Sequence, residues 1–244
     1  MPRADIVRRA VLIALTTIGS AAAAEATSIT VGSGSTTNAF PFGTPTGVAN
    51  FYAGEYQQIY AAAAFSAPLT IWEVAFASGA GAGLATSISD TFTLSLGTTL
   101  KTPAAPGTSY SATKRPDFTE VFSGTVTATL AHNGTFDFIV ALSTPFTYDP
   151  AVGNLLLDVF ILSESSTPAN RTTAFLAGQS PNVARIFNFG GTGSVTSVAN
   201  EGLLTRFSDV QTVPEPASFL LVGTGLLGAL RRRRRTDSRS VNAG

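Results

Sequence analysis

Seven residues, Asp90 to Leu96, alternate polar and apolar side chains so strictly that Phe92, Leu94 and Leu96 share one face of an extended strand. The same period of two recurs along the chain with almost no helical period beside it, so the apolar faces are best buried by pairing antiparallel sheets. Within Glu120 to Leu130, Val126, Ala128 and Leu130 oppose Thr125, Thr127 and Thr129, and Phe136, Phe138 and Val140 line one side of the next run. Between these two runs stands Asn133-Gly134, a strong two-residue hairpin signal, which predicts that Val126–Ala131 and Phe136–Leu142 pair. Further runs fall at Tyr56–Phe65, Leu69–Phe76, Leu155–Leu162, Val183–Phe189 and Leu203–Phe207. Turn residues separate them at 79–83, 103–107, 145–153, 168–170 and 190–193. The spacing predicts an all-β, antiparallel β-sandwich of jelly-roll-like form over residues 25–211. Four alanines at 61–64 also suit a short helix, whereas the flanking aromatics and Pro68 suit an edge strand.

The ends have a different composition. Arg3, Arg8 and Arg9 precede an apolar stretch from Ala10 to Ile18 and small residues up to Ala24, which reads as a secretory signal peptide over residues 1–24. Ala22 and Ala24 meet the small-x-small requirement for cleavage before Glu25. At the other end Val213-Pro214-Glu215-Pro216 is followed by an uncharged run from Ala217 to Leu230 and five arginines, Arg231, Arg232, Arg233, Arg234 and Arg235. As a helix that run spans roughly 21 Å, short of the roughly 30 Å of a bilayer core, so it is either a snorkelling anchor or a transient stop. The arginines sit where a cytoplasmic membrane face would hold them, leaving 236–244 as a cytoplasmic tail. With no second basic patch or interleaved aromatics, nucleic acid is not an expected partner. The alternating prolines hold the motif extended, the form a protease cleft accepts.

The order Val213-Pro214-Glu215-Pro216, short hydrophobic run and arginine cluster at 212–235, with a signal peptide in front, resembles the PEP-CTERM proteins of Gram-negative bacteria. The resemblance implies export through the inner membrane, retention by the tail, and recognition at Pro214, Glu215 and Pro216 by an exosortase-type sorting protease. It also implies a surface or matrix destination associated with exopolysaccharide and biofilm. Gly54 to Tyr60, Ile71 to Phe76, Thr144 to Pro150 and Gly153 to Asp158 look like a recurrent ectodomain of such proteins, a likeness that carries no activity with it.

For chemistry inside the domain the residues offer little. No cysteine is present, which removes disulfides, thiolate metal sites and cysteine nucleophiles. Residues 25–211 hold six basic against twelve acidic side chains, a net charge of −6 that keeps the domain soluble and repels anionic partners. His132 is the sole histidine; beside Asn-Gly it is expected at an exposed loop tip rather than in a catalytic triad. Asp149 and Asp158, or Glu55 and Glu73, are the acid pairs a glycan hydrolase would need, but no spacing singles one out. Asp149, Asn154 and Asp158, or Asp90, offer oxygens to a structural Ca²⁺, and no other cofactor is expected. Trp72 and tyrosines 52, 56, 60, 110 and 148 are candidates to stack on sugar rings, with Trp72 expected in the core. Two sequons, at Asn133 and Asn170, are not expected to be glycosylated in a bacterium. The expected function is an exported structural or glycan-binding protein and not an enzyme, with a secreted glycan hydrolase as the alternative.

Overall fold

The structure is a computed structural model that describes residues 27–43, 53–81, 84–169, 171–188 and 195–210. Thirteen strands make up these residues: β1 Ser28–Val31, β2 Thr36–Asn38, β3 Gly54–Tyr60, β4 Leu69–Ala77, β5 Ser87–Thr99, β6 Thr119–Thr129, β7 Phe136–Tyr148, β8 Asn154–Thr167, β9 Phe175–Gln179, β10 Val183–Phe187, β11 Thr196–Val198, β12 Glu201–Leu203 and β13 Thr205–Ser208. They form a six-stranded sheet in the order β11-β10-β3-β8-β5-β6, a four-stranded sheet β1-β13-β4-β7, and a small sheet β12-β9-β2. Every pairing is antiparallel.

The winding is a jelly roll. β5 pairs with β6, β4 with β7, β3 with β8 and β1 with β13, each pair enclosing the previous one in sequence while successive pairs alternate between the two larger sheets. This pattern overturns the expected hairpin at Asn133-Gly134. β6 ladders with β5 and β7 with β4, so the connection carries the chain from one sheet to the other. Between them Ser143 Oγ donates to the Val121 carbonyl at 2.9 Å. The turn chemistry remains, with φ of +53° at His132 and +85° at Gly134, but it serves a corner.

Alternation holds on the inner faces. Phe92, Leu94 and Leu96 of β5 meet Ile71, Val74 and Phe76 of β4 and Phe138 and Val140 of β7 in one buried cluster. Phe42, between β2 and β3, is its hub: its ring centroid lies 4.6 Å from Phe138, 4.9 Å from Phe76, 5.5 Å from Phe92 and 5.9 Å from Phe175, joining all three sheets. Two bulges shift the parity. One, between Ile71 and Glu73, sets Trp72 half-buried at the irregularity instead of in the core. Another, between Ile161 and Ser163, leaves Leu162 as an extra outward residue beyond the regularly exposed Phe160 and turns Glu164 inward opposite Asp90. Ala62–Ala64 is a single 3-10 turn after β3 ends, neither helix nor edge strand. The seam of the roll brings the ends together, with Ser28 opposite Ser208 and the Thr27 amide donating to Asp209 Oδ1 at 2.7 Å.

Candidate functional site

The long connection from β5 to β6 folds back over the outer face of the six-stranded sheet, where Tyr110 and Phe118 pack on Ile59, Leu156 and Ile186. It is fastened by a polar network. On β3, Glu55 and Gln57 point to this face; on β8, Asp158 does. Lys114 Nζ reaches Glu55 Oε1 at 2.9 Å and Asp158 Oδ2 at 3.0 Å, and stands 4.6 Å from the centre of the Phe118 ring. Gln57 Nε2 donates to Asp158 Oδ2 at 2.6 Å, and Gln57 Oε1 accepts from the Thr113 hydroxyl at 2.6 Å. The Tyr110 hydroxyl donates to the Glu55 carbonyl at 2.7 Å and lies 3.2 Å from Asn188 Oδ1.

The two carboxyls converge on the same two donors, Lys114 Nζ and Gln57 Nε2, and the electrostatics follow from that. Burial, then the neighbouring Asp158 carboxyl, pushes the Glu55 carboxyl up to about 6, while Lys114 pulls it down. Burial works against the Lys114 ammonium, but the hydrogen bond to Glu55 and the charge of Asp158 outweigh it and raise its pKa. Burial and the neighbouring carboxylates raise the Tyr110 phenol as well. Beside the network opens a cleft of about 540 Å³ lined by Gly54, Glu55, Tyr110, Phe160, Leu162 and Asn188, among others. Phe160 is 44 % and Leu162 55 % exposed, unusual for such side chains. The cleft thus offers apolar surface, an aromatic ring, a carboxyl and an amide at one place.

Of the residues singled out from sequence, Glu55, Asp158 and Tyr110 come together here. Glu73 does not: it is buried in the other sheet beside Arg206, whose Nη2 lies 3.0 Å from its Oε1. Tyr56, Tyr60 and Tyr148 are core residues. The proposed calcium ligands do not converge. Asp149 Oδ1 accepts from the Ala151 amide and Asn154 spends its amide on the Ala62 N–H and the Lys101 carbonyl. Asn154 and Asp158 are four residues apart on one strand, about 13 Å, too far to share an ion held at about 2.4 Å. Among the described residues no three His, Asp or Glu side chains cluster as a metal site. His132 is part-buried, its Nδ1 2.9 Å from the Gly79 carbonyl and its Nε2 2.6 Å from that of Ala85, so it clamps a loop where an exposed tip was expected. Gln57, Thr113, Lys114, Asn188 and Phe160 were missed. The pair Gln57-Gln58 inside a strand was the available signal, since consecutive glutamines place one amide on each face and each needs partners.

Ala22, Ala24, Val213 to Pro216 and Arg231 to Arg235 lie outside the described residues, as do the signal peptide and the carboxyl-terminal hydrophobic run. Among the described residues no helix is long and apolar enough to cross a membrane. Residues 212–235 match the family described as the PEP-CTERM protein-sorting motif. The chain carries a PEP-CTERM sorting signal. Such a signal marks an exported precursor, anchored at the membrane and processed by an exosortase, a membrane protein, to a surface form. No curated protein and no solved structure matches the chain.

Proposed function

We propose that this PEP-CTERM protein is a non-enzymatic component of the cell surface or extracellular matrix whose jelly roll binds saccharide in the cleft beside Lys114. The observation that supports this reading is the cleft itself, where the exposed Phe160 ring, the Tyr110 hydroxyl, the Asn188 amide and Glu55 converge. A sugar presents an apolar ring face edged by hydroxyls. An aromatic flanked by a few fixed polar groups is complementary to it. A sorting signal that directs the chain to the cell surface is compatible with this reading.

A glycan hydrolase is the second reading, favoured by Glu55, whose raised carboxyl on the cleft wall has the property of a general acid. Its difficulty is spacing. Retaining and inverting glycosidases hold their carboxyls about 5 to 9.5 Å apart across the scissile bond, whereas Glu55 and Asp158 converge on one ammonium and one amide, which leaves no room for a substrate between them. Calorimetric titration of the full chain with cello-, isomalto- and mannotetraose, repeated on Phe160→Ala and Glu55→Gln, separates the two. Saturable binding lost in Phe160→Ala, with the oligosaccharide recovered intact, is the expected result. Reducing ends released by the native chain but not by Glu55→Gln establish the hydrolase, and no heat with any of the three defeats the saccharide reading.

A further inference from the structure

Beyond the cleft, the outer face of the six-stranded sheet is left uncovered by the described residues across β6, β5 and β8. Register fixes what lies there. Ser123, Thr93 and Phe160 form one row across the strands; Thr125, Thr91 and Ser163 the next; then Thr127, Ser89 and Ser165; then Thr129, Ser87 and Thr167. Eleven of these twelve positions carry a hydroxyl and the twelfth is the cleft phenylalanine. Those on β6 and the three hydroxyls of β8 are exposed, and those on the central strand half-buried. Strand spacing and rise give the face a repeat of about 4.8 by 6.7 Å over about 10 by 20 Å.

β-propensity explains threonine on an exposed strand, but not the exclusion of every charge. The eighteen charged residues of 25–211 are elsewhere, although lysine and glutamate are the usual guards of an open sheet. The hydroxyls are also held in place: Thr91 Oγ1 lies 2.8 Å from Thr125 Oγ1, Ser89 Oγ 2.9 Å from Thr127 Oγ1, and Ser165 Oγ donates to the Ser89 carbonyl. Each hydroxyl still has lone pairs or a proton to offer, and the β-branched threonines lose little freedom on binding.

We propose that this platform is a binding surface for an extended, uncharged polysaccharide that runs along the hydroxyl rows and enters the cleft at Phe160; the inference rests on the saccharide reading above. An uncharged grid that both donates and accepts fits a polyhydroxylated chain without acidic groups. It sets no cation against the carboxylates of a polyuronate, which the net charge of −6 over residues 25–211 repels.

The test is affinity electrophoresis of the full chain through gels holding hydroxyethyl cellulose, dextran, galactomannan or alginate. The double variant Thr125→Lys/Ser163→Lys, both exposed sites, is run beside Thr125→Ser/Ser163→Thr and Phe160→Ala, with circular dichroism melts as the folding control. Retardation by at least one neutral gel and none by alginate is expected. The lysine variant should weaken that retardation about tenfold or more and the hydroxyl-preserving variant leave it unchanged. Its calorimetric binding of the tetrasaccharides should stay native. Neutral-polymer retardation that survives the lysines but is lost in Phe160→Ala overturns the platform and keeps the cleft. Retardation by none of the neutral gels, with tetrasaccharide binding intact, does the same. Concentration-dependent self-association, abolished by the lysines with no polymer retardation, makes the face a contact between copies and also overturns the proposal.

Discussion

Asp90 is fully buried on the inner face of β5, directly across the ladder from Glu164, and neither of its oxygens has a partner of ordinary hydrogen-bond geometry. Burial first, then the facing Glu164, pushes its carboxyl up to about 8, against the smaller pull of the Ser165 backbone. An acid raised on folding favours the native state below its unfolded pKa near 4, and that advantage is lost as pH rises through about 8. Glu55, raised to about 6, works in the same sense over a lower window. Between pH 6.5 and 8 the slope is therefore Asp90's: urea unfolding should show stability falling by about 1 kcal/mol per pH unit, and Asp90→Asn should flatten the fall. Gln58 is the opposite case, a buried amide with every atom engaged. Its Nε2 donates to the Leu203 carbonyl at 2.8 Å, and its Oε1 accepts from the Leu203 amide at 2.9 Å and from the Tyr56 hydroxyl at 2.5 Å. Gln58→Leu takes the acceptor from the Leu203 amide and leaves the Leu203 carbonyl only the Thr205 hydroxyl, and should cost about 3 kcal/mol in the same unfolding measurement.

At the scale of elements, the β5–β6 connection acts as a strap whose buckle is Lys114. Removing the ammonium by Lys114→Met leaves the two carboxyls with only the Gln57 amide in common and removes the one influence that lowers Glu55. A carbon-detected NMR titration of the Glu55 carboxyl should show its midpoint move above 6, and a midpoint that stays or falls would discredit the buckle. The strands were legible because Phe92, Leu94 and Leu96 alternate without interruption, and one buried face per sheet follows from that. The partner of each strand was not legible in the same way. Asn133-Gly134 bends the chain by local φ preference, and local preference is silent on whether the bend returns along one sheet or passes to the other. The inward turn of Glu164 escaped for a kindred reason, since one extra residue at Leu162 inverts every assignment after it. The strap network was hidden further, because Glu55, Lys114 and Asp158 are remote in sequence and only the β3–β8 register and the fold-back of a loop bring them together.

For the whole molecule the sorting signal and the domain make separable predictions. Intact mass of the protein from culture supernatant and from membranes, with and without the host exosortase, should give a supernatant species ending near residues 213 to 216 that disappears without the enzyme. A full-length membrane form in both backgrounds would make the tail a permanent anchor. The tail was readable because its parts are contiguous, whereas the hydroxyl face proposed as a binding surface is assembled from three strands by their register. One further consequence comes from the seam. Among the described residues β1 ladders with β13 alone, and the bond from Thr27 to Asp209 spans 182 positions. A chain threaded outward from its amino end therefore keeps its first strand waiting until nearly the last residues of the domain have crossed, and the sorting motif follows three residues later. Any product that stops short of Thr205 loses the clasp and the address label in the same stroke, so an unfinished protein is also an undeliverable one.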